Sequence, residues 1–254
     1  MKQIPNLFTL LNLVFGCIAI VFTLQNGITI FTTPEGAQLI DIPEKIWMAS
    51  LFIGLAAVVD FLDGFIARLF KASSEMGKQL DSLADVVSFG VAPAMIIYQF
   101  LRLSLAQEED GLDTAMIWLV PAFILPVAAA WRLARFNLDT AQHHSFKGVP
   151  VPAVGLLVAS MPLIYWNVND QLVRDILLNK WALIALVLVL SLLMVSRLPL
   201  LAFKFKNVKP ADNLPQFLLL AIAAAAIIFL KWLAVPVIFV AYVLVSLLFK
   251  NKLT

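Results

Sequence analysis

Eight apolar runs, near residues 7–24, 46–67, 80–101, 115–133, 149–167, 180–200, 214–232 and 234–249, alternate with short polar connections. Runs of about 17–25 residues match the thickness of a bilayer core crossed by a helix. The period-two alternation of a barrel strand is absent, and in lipid a backbone must satisfy its polar groups within its own segment. The runs therefore predict helices. The opening MKQIPNLFTLLNLVFGCIAIVF has the basic-then-apolar look of a signal peptide. No small-residue cleavage pattern follows and equally apolar runs come later, so a retained first helix is expected.

Composition agrees with the pattern. Of 254 residues, 62% are hydrophobic and 13% charged, and the mean hydropathy is +0.94. These values lie outside the soluble range and predict an all-α integral membrane protein. A net charge of +2 gives no reason to expect nucleic acid as a partner. Cys17 is alone, which excludes a disulfide framework or a cysteine metal site. With the N-terminus inside, the inner connections carry Lys2, Arg68, Lys71, Lys78, Arg132, Arg135, Lys147, Arg197, Lys204, Lys206, Lys209, Lys250 and Lys252. Only Lys45, Arg102, Arg174, Lys180 and Lys231 fall outside, beside acidic residues such as Glu35, Asp41, Glu44, Glu108, Glu109, Asp110, Asp113, Asp170 and Asp175. By the positive-inside rule both termini are expected in the cytoplasm. Trp47, Trp118, Trp166, Trp181 and Trp232 fall near span ends and read as interfacial anchors.

One stretch breaks the apolar pattern: DFLDGFIARLFKASSEMGKQLDSLAD at residues 60–85. At 1.5 Å rise per residue, Asp60 lies about 12–16 Å deeper than the inner end of its span. A carboxylate at that depth is a functional candidate by default, although a lone one would equally serve as an interhelical pair. Asp60, Asp63, Gly64 and Ala67 share one helix face, and so do Gly77, Asp81 and Asp85. A short connection makes the two helices antiparallel neighbours whose faces can meet. Four converging carboxylates need protons or cations between them. Oxygen-only ligands favour Mg2+, Mn2+ or Ca2+ over zinc, and enough are present for two ions. Gly64, Ala67 and Gly77 either leave a gap beside such ions or let helices pack closely. Arg68 reads equally as a phosphate-binding guanidinium or as a positive-inside anchor.

Taken together these residues spell Asp60-x2-Asp63-Gly64-x2-Ala67-Arg68-x8-Gly77-x3-Asp81-x3-Asp85. This resembles the signature of the CDP-alcohol phosphatidyltransferases, with every fixed position filled. The resemblance implies a membrane enzyme, usually dimeric, with a six-helix core that moves a phosphatidyl group from a CDP-linked lipid to an alcohol and releases CMP. The core would occupy residues 1–200, and residues 201–254 would form an additional transmembrane hairpin. Asp60, Asp63 and Asp81 would hold two Mg2+ or Mn2+ ions against the diphosphate, while Asp85 would contact metal and act as general base. Gly64, Ala67, Arg68 and Gly77 would shape the CDP pocket.

Further stretches, IPNLFTLLNLVFG at 4–16, LDSLADVVSFGVAPA at 80–94, AAWRLARFNLD at 129–139 and KGVPVPAVG at 147–155, resemble the branch of that family that uses serine. Branches using glycerol phosphate carry an arginine near the position of Asn12. A neutral residue there fits L-serine, whose carboxylate Arg132 or Arg135 would hold, with Asn137 adding hydrogen bonds. The expected partners are CDP-diacylglycerol, L-serine, the bilayer and a second copy, with the site facing the cytoplasm of a bacterial inner membrane. For Arg132 and Arg135 the topological role stands beside this one; for Asn12 and Thr9, interhelical hydrogen bonding does. Other acceptors, a cation-coupled transporter and a nonenzymatic scaffold remain as alternatives. His143 and His144 receive no role, being adjacent and near basic residues. The run KFKNVK at 204–209 serves topology or attracts anionic headgroups.

Overall fold

A computed structural model describes residues 4–32, 34, 38–70, 74–108, 115–138, 146–201 and 213–249. Lys2, Glu35, Lys71, Glu109, Asp110, Asp113, His143, His144, the run at 204–209, Lys250 and Lys252 lie outside the described residues. Helix α1 (Ile4–Gln25) leads through an antiparallel pair, β1 (Thr29–Thr32) and β2 (Gln38–Asp41), into α2 (Trp47–Leu69). Helix α3 (Glu75–Asp85) runs through a π-helical segment, Val86–Val91, into α4 (Ala92–Ala106). Two 3-10 turns, Met116–Trp118 and Val120–Phe123, precede α5 (Ile124–Leu138). Then follow β3 (Phe146–Lys147), α6 (Val151–Asn167), α7 (Gln171–Leu177), α8 (Lys180–Val195), β4 (Pro199–Leu200), α9 (Leu214–Leu230) and α10 (Ala234–Leu248). β3 and β4 pair antiparallel.

The composite helix Glu75–Ala106 is the centre of the molecule. α4 packs on α1, α6 and α8, and the π-helical segment packs on α1, α5 and α6. Phe89, Ile96, Ile97, Phe100, Leu101 and Leu103 along it are fully buried. Around it the crossings are made by small side chains, with Ala19, Ala49, Ala56, Ala92, Ala94, Ala122 and Ala129 also wholly inside. That is how helices associate where lipid removes the hydrophobic driving force between them. A Cβ on Gly16 would collide with the Ser88 hydroxyl and come within 2.8 Å of its Cα, so glycine is what lets α1 approach the π-helical segment. α1 and α2 pair along their length, Phe52 receiving Phe22 at 5.5 Å and Phe15 at 5.8 Å, two turns apart on α1.

Large apolar side chains point outward throughout: Phe61, Val127 and Phe229 are among the most exposed residues. With lipid outside and a core inside, both faces of a span are apolar, and the protein is an all-α membrane protein. All eight apolar runs fall on helices, but their lengths divide differently. By length and composition Pro5–Gln25, Glu44–Leu69, Glu75–Ala106 and Leu214–Leu248 each suffice to cross a membrane. α7 and α8, bent by 67° at their junction, make a fifth if taken as one span. The last stretch holds two expected spans, parted at Lys231, where φ is 48°. α5 and α6 are shorter than about 20 residues, because 3-10 turns and proline interrupt the runs that contain them. α7 answers to no expected span. Asp170 caps it by accepting from the Val173 N–H at 3.1 Å.

Candidate active site

The inner half of α2 carries Asp60 and Asp63, and α3 carries Asp81 and Asp85. Ser74 starts α3 by accepting from the Gly77 N–H at 3.0 Å, with Glu75 in the first turn, a start signal legible in the sequence. Carboxylate oxygens of Asp60, Asp63 and Asp81 all lie within 4.8 Å of one another. Asp60 is also within hydrogen-bonding reach of both Asp81 and Asp85. The four expected carboxylates therefore converge, three as a compact group and Asp85 beside Asp60.

The means of convergence differs from the one expected. α3 packs mainly on α1 instead of α2, and α1 is the common support of both aspartate helices. It supplies the groups that hold them. Thr9 donates to Asp63 Oδ2 at 2.6 Å, and the Asn12 amide donates to Asp85 Oδ1 at 3.3 Å. Ser88, in the first turn after Asp85, donates to the Asn12 carbonyl at 2.9 Å. Asn12 is fully buried, and its Oδ1 finds no hydrogen-bond partner among the described residues. Both interhelical bonds are of the kind that orients ligating carboxylates.

The gap left between α2 and α3 is a cavity of about 500 Å³, within the range of small-molecule sites. α1 lines it with Pro5, Asn6 and Thr9; α2 with Asp63, Gly64 and Ala67; and the start of α3 with Ser74, Glu75, Gly77, Lys78 and Asp81. The two glycines do different work. A Cβ on Gly64 would meet nothing nearer than an Arg68 guanidinium nitrogen at 3.8 Å, so Gly64 faces open space and Arg68 folds back towards it. On Gly77 it would sit 2.9 Å from Asn6 Oδ1, so this glycine permits the approach of α3 to α1. Asn6, Glu75 and Lys78 were not foreseen as cavity residues, because nothing in their local pattern separates them from ordinary helix-end polar residues.

The expected acceptor residues divide into two pairs. Asn12 and Arg132 are buried near Asp85. The terminal nitrogens of Arg135 donate to the carbonyls of Val195 at 2.9 Å and Ser196 at 3.1 Å, closing the C-terminal end of α8. Asn137 donates to Ser82 Oγ at 2.8 Å and its carbonyl accepts from Lys78 at 3.0 Å, tying α5 to α3. Arg132 differs: it is 6% exposed and its Nε has no hydrogen-bond partner among the described residues.

Three clustered carboxylates with no nitrogen or sulfur donor suit a hard divalent cation, and the open cavity beside them leaves room for its other ligands. A diphosphate is the kind of group that such ions clamp.

Residues 2–195 match the family model for CDP-alcohol phosphatidyltransferase. Among curated relatives, the CDP-diacylglycerol–serine O-phosphatidyltransferase of Mycobacterium leprae is 31% identical over 256 residues, 95% of this chain and 72% of that protein. The Bacillus subtilis protein of the same name is 30% identical over 65% of this chain and 78% of its own length. The Saccharomyces cerevisiae protein of that name is 37% identical over 52% of this chain and 50% of its own.

Proposed function

Because the chain belongs to the CDP-alcohol phosphatidyltransferase family, we propose that it transfers the phosphatidyl group of CDP-diacylglycerol to the hydroxyl of L-serine, giving phosphatidylserine and CMP. The convergence of Asp60, Asp63 and Asp81 beside Asp85, at the edge of an open cavity, carries this reading.

Asp60, Asp63 and Asp81, with Asp85 contributing, would hold two Mg2+ or Mn2+ ions, which when bound neutralise the diphosphate and the departing CMP. Asp85 accepts the proton of the serine hydroxyl as its oxygen attacks the lipid-side phosphorus; the P–O bond to CMP breaks, and CMP leaves with the bonding electron pair. Asn12 holds Asp85 by one carboxylate oxygen, fixing the base's orientation, and Thr9 does the same for Asp63. Gly64 and Ala67 keep the cavity clear for the nucleotide, Gly77 sets its width, and Arg68 reaches a phosphate from the rim. Arg132 pairs with the serine carboxylate. Arg135 and Asn137 hold α5 against α8 and α3, which keeps Arg132 near Asp85.

In this reading residues 1–200 are the catalytic core and residues 201–254 an added hairpin. The site opens to the cytoplasm of a bacterial inner membrane, with both termini on that side, and the enzyme works as a homodimer. The basic residues grouped on the expected inner connections support the orientation. The test is CMP release by the purified protein with CDP-diacylglycerol and, in turn, serine, inositol, inositol phosphate, glycerol 3-phosphate and choline. Serine-dependent phosphatidylserine formation is expected. Equal turnover of another alcohol, or none with serine, overturns the assignment.

A further inference from the structure

Arg132 is a guanidinium enclosed in an apolar helix with an unpaired Nε, and such a group needs an anion or an oriented dipole beside it. The titratable groups close enough to act on it are Tyr242, Asp85 and Arg135. Asp85 is held by Asn12 and lies against Asp60. Arg135 carries the same charge and spends its terminal nitrogens on α8 carbonyls. Tyr242 is of another kind: it comes from α10, beyond residue 195, where the family match ends.

Tyr242 is anchored by a closed ring of hydrogen bonds. Its hydroxyl donates to the Leu201 carbonyl at 3.3 Å, the Leu201 N–H donates to Ser246 Oγ at 3.1 Å, and Ser246 Oγ donates to the Tyr242 carbonyl at 2.6 Å. All three residues are buried. The ring joins α10 to the chain leaving β4, next to the α8 end that Arg135 closes. A phenol has one proton, and here it is committed to Leu201; the lone pairs of the oxygen remain for a cation. A neutral phenol orients a guanidinium without cancelling its charge, whereas a carboxylate at position 242 would pair with it and compete with a ligand.

We propose that Tyr242 is a positioning residue for Arg132: the C-terminal hairpin fixes the buried guanidinium beside Asp85, where its remaining N–H groups receive the carboxylate of an amino-acid acceptor. This rests on the reading that the acceptor is serine. The hairpin then takes part in acceptor recognition and leaves binding of the CDP-lipid to α1, α2 and α3.

Steady-state CMP release by the full-length protein tests this, with L-alanine as a competitive probe that has the carboxylate and lacks the hydroxyl. Tyr242→Phe should raise the KM for serine and the Ki for L-alanine together, by about tenfold, the size of a lost hydrogen bond to a charged group. It should leave kcat and the KM for CDP-diacylglycerol within about twofold, a split that a purely structural role would not produce. Arg132→Gln should raise the same two constants further, and the double variant should be no worse than Arg132→Gln alone. Ser246→Ala, which loosens the ring but keeps the phenol, should give a smaller rise in the same direction; it serves if Tyr242→Phe fails to fold. Additive effects of the two substitutions, or a fall in kcat with no change in serine KM, overturn the inference. If Arg132→Gln raises the serine KM and neither Tyr242→Phe nor Ser246→Ala does, the positioning role alone fails. If Arg132→Gln leaves it unchanged, the acceptor role of Arg132 fails first.

Discussion

The helix Glu75–Ala106 and the hairpin Leu214–Leu248 are both apolar enough to span a membrane, yet 56% of the most apolar window of the first is buried against 17% of the second. The buried helix carries Asp81, Asp85, Ser88 and Gln99, and α1 meets three of them: Asn12 bonds Asp85, and Ser88 and Gln99 bond the carbonyls of Asn12 and Thr23. The hairpin turns bare aliphatic faces outward, and the polar ties that α10 makes are gathered where it meets Leu201 and Arg132. The difference shows what polarity means in this setting. A polar group facing lipid is costly, so it persists where a partner helix or a ligand satisfies it. Polar positions on these spans thus mark where the molecule works.

The comparison is broken most severely at Asp85. Asp85→Asn should lower CMP release by about 10²- to 10⁴-fold, the usual contribution of a general base, while CDP-diacylglycerol binding, followed by equilibrium titration, persists. Full activity in that variant removes the base role. Chelation should abolish turnover, and added Mg2+ or Mn2+ should restore it and raise the melting temperature of the purified protein. Ions that bind only the folded state stabilise it, so in Asp63→Asn the metal-induced shift should shrink or vanish. Thr9→Val should weaken metal affinity by about tenfold, as loss of a partner to a ligating carboxylate does, read from the Mn2+ dependence of activity. Gly77→Ala should lower stability by about 1–3 kcal/mol, because Asn6 leaves no room for the added methyl. Gly64→Ala should leave the melt unchanged and raise the KM for the CDP-lipid. At the quiet end, Phe229→Ala on the exposed face of α9 should change stability by less than about 0.5 kcal/mol.

Much of the site was legible without coordinates, because its chemistry is written in local spacing. Residues three, four and seven apart share a helix face whatever the tertiary fold, so Asp60 with Asp63, and Gly77 with Asp81 and Asp85, could be grouped from the sequence. The Asx and Ser caps at Asp170 and Ser74 are local for the same reason. The support given by α1 was not legible. Thr9 and Asp63 are 54 residues apart, and Asn12 and Asp85 are 73 apart; only packing pairs them. Nor could periodicity tell inner from outer faces, since lipid and core are both apolar.

By itself, then, the sequence determined that this chain is a helical membrane protein with a four-aspartate signature at the inner ends of two spans, since hydropathy and helical spacing are properties of short segments. The tertiary structure alone decided that α1 stands between those spans, and that Gly64 faces space while Gly77 faces a neighbour. It also decided that Arg135 closes a helix end while Arg132 stays unpaired near Tyr242. Each of those outcomes depends on which helices touch, and contact between segments far apart in sequence is fixed by packing and not by local pattern.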